Sequence, residues 1–136
     1  MHAVRVFLAI ATIRRFEQSR LPVNLTLVDL AIIHEIGFHQ QDGALVTLKT
    51  LHRAAIGSPA TVQRCISKLK RLGVIEDVKA HADRRLTSLT LSPAVIKLYR
   101  SCDTALQRLL PRSAPRVRAA ARNIATGIRS ARRLRR

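Results

Sequence analysis

Apolar side chains recur at helical spacing as far as Leu72, and beyond Gly73 they alternate. This switch admits few folds, because a face buried every third or fourth residue cannot serve as the face of a strand. Before the switch, Ser58-Pro59 sets a hydroxyl N-cap ahead of a proline at the first helical position, a strong start signal. The spacing predicts a helix over residues 60–72 that ends at Gly73, with Val62, Ile66, Leu69 and Leu72 turned inward and Cys65 alongside. Upstream, Thr47 can cap a short helix with Leu48, Leu51 and Ala55 inward, stopped by Gly57. Residues 26–29 have the form of a capping box, from Thr26 to Asp29. The helix that follows, through Leu30, Ile32, Ile33 and Ile36, is expected to end near Gly37, with a turn at Asp42-Gly43.

Two short helices joined by residues 55–58 describe a helix-turn-helix. Residues 74–78 and 86–91 read as strands, the second alternating Leu89, Thr90, Leu91, and residues 79–85 between them form a basic tip. A hairpin directly after a helix-turn-helix is a winged helix. Ser92-Pro93 then opens a further helix carrying Val95, Ile96, Tyr99, Ala105, Leu106, Leu109 and Leu110. The expected fold is mainly α with a small β-hairpin wing (α+β), a winged helix-turn-helix with N- and C-terminal helices, for which the resemblance given below implies dimerisation. Four units follow: residues 1–25, an N-terminal dimerisation helix; 26–92, the DNA-binding domain; 93–110, a long linking helix; and 111–136, an Arg-rich amphipathic helix or tail.

Charge identifies the class of partner. The 136 residues include 25 Lys or Arg and 8 Asp or Glu, a formal net charge of +17, which calls for a polyanion. Nine arginines and no acid lie in residues 112–136, so more than half of the excess sits in one short segment. There Val117, Ala121, Ile124, Ile128 and Ala131 form a helical stripe that could pack on a partner subunit, lie on a membrane or touch DNA phosphates. Packing on a partner with a solvated Arg face is the favoured reading. The N-terminal stretch from Ala3 to Phe16 is apolar nearly all round and suits a helix buried between subunits or elements. Aromatics are 3% of the chain, too few for stacking platforms of the kind that bind single strands.

No acid lies between Lys49 and Glu76, so the outer face of the second helix is wholly neutral or basic. Its candidate DNA-binding residues are Ser58, Ala60, Thr61, Gln63, Arg64, Ser67, Lys68 and Arg71. Small residues at its start let the helix enter a major groove; Gln63 suits adenine and Arg64 guanine, each by a bidentate pair. Lys68 and Arg71 lie further along and suit phosphates. On the wing, Arg84 or Arg85 suits the electronegative minor groove.

These residues resemble the MarR family of bacterial transcriptional regulators, over roughly residues 26–110. The most specific match is the wing pattern D-x-R-x-x-x-[LV]-x-L-[TS], present as Asp83-Arg84-Arg85-Leu86-Thr87-Ser88-Leu89-Thr90-Leu91-Ser92. Ser58, residues 61–64, Leu69 and residues 73–75 also fit. The resemblance implies that Arg85 is the minor-groove arginine, that Asp83 holds the wing's shape, and that Thr61, Gln63 and Arg64 face bases. It further implies a homodimer built from the first and last helices, repression by covering a promoter, and a small-molecule effector between the lobes. The chain departs from the pattern at Asp77, where members commonly carry a basic residue, in its nine-Arg segment, and in lacking the N-terminal Cys of oxidant sensors.

Other chemistries find little support. No Ser-His-Asp set, phosphate loop or carboxylate pair occurs, so neither an enzyme nor a cofactor is expected. His34 and His39 are five residues apart and point about 140° away from each other on a helix, which excludes a zinc pair. Cys65 and Cys102 read as inert buried thiols in a reducing compartment. His81 reads as a solvated loop residue. No signal peptide is expected, because Arg14-Arg15 follow the apolar run with no small-residue cleavage site. The expected place is therefore the cytoplasm, at the nucleoid, with no membrane partner. Two further readings stand beside the regulator: an architectural protein coating DNA with little sequence preference, and a winged-helix protein-interaction module with a membrane- or RNA-binding tail.

Overall fold

A computed structural model describes residues 4–79 and 87–110. Five helices and a hairpin follow in order: α1 (Arg5–Arg20), α2 (Leu27–Gln41), α3 (Leu48–Arg53), α4 (Pro59–Arg71), β1 (Ile75–Lys79), β2 (Thr87–Leu91) and α5 (Pro93–Leu109). The start signals act as expected at three helices. Thr26 accepts from the Asp29 N–H while Asp29 accepts from the Thr26 N–H at 2.7 Å, a complete capping box. Thr47 and Thr50 form a second box on α3, and Ser58 accepts from the Thr61 N–H at α4. Ser92 has N-cap backbone geometry, but its hydroxyl makes no cap bond and is buried without a partner among the described residues.

The core is one cluster. Ile32, Ile33 and Ile36 of α2, Leu51 of α3 and Val62 and Leu69 of α4 meet Ile75, Leu89 and Leu91 of the hairpin and Val95 and Leu98 of α5. The strands are antiparallel with Ile75 opposite Leu91 and Lys79 opposite Thr87. A third, one-residue strand escaped the sequence reading: Leu89 donates its N–H to the Val46 carbonyl at 2.7 Å, which ties the root of the wing to the turn before α3. Period alone cannot reveal a single-residue bridge.

Several boundaries fall elsewhere than the glycines suggest. Helix α2 runs through Gly37 to Gln41, and the left-handed turn comes at Gly43, with φ of 70°. Gly37 instead allows close approach: a Cβ there would lie 3.3 Å from the Leu91 side chain. After α3 the left-handed residue is Ala55, φ 55°, rather than Gly57. Ala55 is exposed, and Ile56 takes the inner place expected of it. Leu72, expected inside, is the C-cap of α4 and is 43% exposed; Gly73, φ 72°, then reverses the chain into β1 as expected.

Helix α1 is longer than the apolar run suggested and packs mainly against α5. Val4, Val6, Phe7, Leu8 and Ile10 remain exposed, Phe7 to 68%. Among the described residues no helix is long and apolar enough to cross a membrane.

Candidate nucleic-acid interface

Helix α4 is two-sided because its sequence is. Val62, Ile66 and Leu69 bury one face, leaving Ala60, Gln63, Arg64, Ser67 and Arg71 exposed on the other. Ala60, Gln63, Arg64, Ser67, Lys68 and Arg71 line one shallow, open concavity of about 580 Å³. Six of the eight candidate residues on this helix are thus brought onto one surface. Ser58 sits at the N-cap, and Thr61 is half-buried.

The start of α4 is organised by a short polar relay. The Ser58 hydroxyl donates to Thr61 Oγ1 at 2.8 Å, and Arg64 Nη2 donates to the same oxygen at 3.4 Å. Thr61 therefore holds the Arg64 guanidinium over the exposed face, lowering the rotamer entropy a long side chain would lose on contact.

Lys68 needs a different reading from the one its sequence position suggests. Its Nζ donates to Asp29 Oδ2 at 2.7 Å and to the Asn24 carbonyl at 3.0 Å. Asp29 is fully buried, so this ammonium neutralises a buried carboxylate and pins α4 to the start of α2. Burial alone would raise the Asp29 carboxyl, but hydrogen bonds from Lys68, the Thr26 N–H and Cys65 hold it below its ordinary value. The sequence marked Asp29 only as a cap. The Cys65 thiol, beside Asp29, is pushed up by burial and by the hydrogen bond and charge of that carboxylate, as an inert thiol should be. Cys102 is raised by burial, then by the Glu17 and Asp103 charges.

Asp77, the departure on the wing, pairs with Lys70 at 2.8 Å. An acid at this place joins β1 to α4 and offsets the charge of Lys70. Asp83, Arg84, Arg85 and His81 lie outside the described residues, as does the whole of residues 111–136 with its Arg stripe.

A second polar cluster, unforeseen from sequence, joins three helices. Glu17 of α1 is 6% exposed; its Oε2 accepts from Tyr99 Oη of α5 at 2.6 Å and pairs with His34 Nε2 of α2 at 2.5 Å. Burial alone would raise this carboxyl; the hydrogen bonds from His34 and Tyr99, and the charges of His34 and Arg14, outweigh it and hold the group below its ordinary value. Tyr99 is pushed far up by burial and by the hydrogen bond and charge of Glu17. Glu17 is the lone acid of residues 1–25, which was the available signal. His39 bonds Glu35 at 3.0 Å, and among the described residues no group of His, Cys, Asp and Glu could hold a metal ion.

A helix-turn-helix with a basic, acid-free second helix, a hairpin wing and two long flanking helices define a winged helix-turn-helix protein. Solved structures match it over nearly its whole length. The MepR–DNA complex of S. aureus is 16% identical, covers 90% of this chain and 94% of its own, and superposes with a TM-score of 0.56. FabT of Streptococcus pneumoniae in complex with DNA is 15% identical, covers 95% and 92%, and scores 0.52. S. aureus MepR bound to ethidium bromide is 17% identical, covers 96% of each chain, and scores 0.52. These neighbours are MarR-family regulators, and the chain has the MarR-type winged-helix fold. At such identities the likeness is one of fold. No family model matches the chain, and no curated protein matches it significantly in sequence.

Proposed function

We propose that this protein is a sequence-specific, duplex-DNA-binding transcriptional regulator, a repressor acting as a homodimer at the nucleoid. The observation that carries the reading is the outer face of α4. Gln63, Arg64, Ser67 and Arg71 stand exposed on a helix pinned from behind by Lys68–Asp29, with Thr61 steering Arg64. Two neighbours of the same fold are complexes with DNA. In this reading α4 enters the major groove, Gln63 and Arg64 face bases, Arg71 meets phosphate, and Arg85 of the wing reaches the minor groove. The exposed apolar run on α1 supports the dimer, because Val6, Phe7, Leu8 and Ile10 all stand in water close together on one helix.

The test is duplex binding across a salt series, comparing DNA upstream of the protein's own gene with a scrambled control. A preference of about a thousandfold or more at physiological salt is expected of a regulator. Equal affinities that collapse together as salt rises would overturn it. That outcome would favour a DNA-coating protein, a reading supported by the nine arginines and no acid of residues 112–136.

A further inference from the structure

We infer that Glu17 is a positioning residue, which fixes the angle at which the DNA-reading lobe stands on the α1–α5 stem and so the half-site spacing the dimer accepts. The inference rests on the dimeric, DNA-binding reading above. Glu17 is the one buried residue of α1. Among the described residues it makes every side-chain hydrogen bond that joins α1 to another helix. Its two partners stand on two different helices, α2 and α5. His34 adjoins Ile32 and Ile33 of the lobe's core. Tyr99 packs against the same core from α5, one residue after the core residue Leu98. The His34 and Tyr99 rings meet edge to face with centroids 6.1 Å apart, closing a three-helix triangle around one oxygen.

A buried polar cluster is a poor way to gain stability, since apolar residues that replace all of its members often do as well or better. It supplies direction instead: two short bonds from two helices fix a rotation that apolar packing leaves softer. Stem rotation matters for DNA because one inserted base pair moves half-sites apart by about 3.4 Å and turns them by about 35°.

The experiment uses the full chain and a duplex selected from a random library, then rebuilt with its half-sites one base pair nearer or further. Wild type is expected to lose about tenfold in affinity for each change, the scale of a typical coupling between sites. Glu17→Leu should melt below the wild-type temperature, since Tyr99 Oη loses its acceptor, yet lose no more than about threefold for each change of spacing, its optimum broadened. Glu17→Gln, whose amide oxygen accepts both donors, should keep the wild-type profile. A folded Glu17→Leu protein with the wild-type spacing profile overturns the inference. Should that variant not fold, Tyr99→Phe is judged by the same criterion, and failure of both to fold also overturns it, because the cluster is then a folding requirement. A wild type that is monomeric or prefers no duplex instead overturns the regulator reading itself.

Discussion

Replacing Lys68 by Met separates two roles that a basic residue on a recognition helix can have. The ammonium lies 2.7 Å from Asp29, with the Asp side chain fully buried and the Lys 29% exposed. Removing one partner of a buried pair costs about 3–5 kcal/mol because the other charge is stranded. Asp29 keeps the Thr26 N–H, and water can reach the vacated site, so the lower figure of about 2–3 kcal/mol applies here. At about 4 °C per kcal/mol, melting should fall by roughly 8–12 °C. Adding Asp29→Asn should recover part of the loss, since asparagine still caps α2 without a charge to strand. Duplex binding by the folded Lys68→Met protein should keep its salt slope. Arg71→Met makes the contrast: exposed and on the same face, it should change stability by no more than about 0.5 kcal/mol but lower the salt slope by about one. Lys68→Met with wild-type melting and a salt slope reduced by about one would refute the reasoning, placing that ammonium on phosphate instead of Asp29.

Arg64→Ala should cost about 1–3 kcal/mol on the best site and blur preference at one base position, read by competition among single-base variants. Ala55→Gly should stabilise by about 0.5–1 kcal/mol in urea melts, because φ is 55° there and a Cβ is strained. Gly73→Ala should destabilise by about 1 kcal/mol at φ 72°, although open space surrounds the position. Glu17 and Asp29 are both held below their ordinary values of 4.5 and 3.8 in the folded state, so the unfolded chain takes up protons first as pH falls. Stability should be flat above about pH 5 and fall through the acid range, with a shallower decline in Glu17→Gln, measured by thermal melts across pH.

What was legible in the sequence was local. Thr26, Thr47 and Ser58 announce helix starts because a hydroxyl cap acts within three residues, and each bonds as its spacing implies. The inward faces of α2 and α4 and the hairpin after Gly73 follow from period, since an apolar face of the wrong repeat cannot be buried. Helix ends were less legible. Gly37 and Gly57 looked like stops, but a glycine ends a helix only where the chain turns left-handed, and here Gly43 and Ala55 do so.

Tertiary structure decided the rest, through partners far apart in the chain. Lys68 lies 39 residues from Asp29, and Tyr99 lies 82 from Glu17. No periodicity carries such pairings. Whether a charged side chain reads DNA, neutralises a buried carboxylate or orients a helix depends on what folding sets beside it. Sequence alone determined that α4 would turn a basic, acid-free face outward, because its apolar residues claim the other side. Only the fold decided which of those cations remain exposed for a partner, since burying Asp29 without Lys68 would leave a charge stranded out of water.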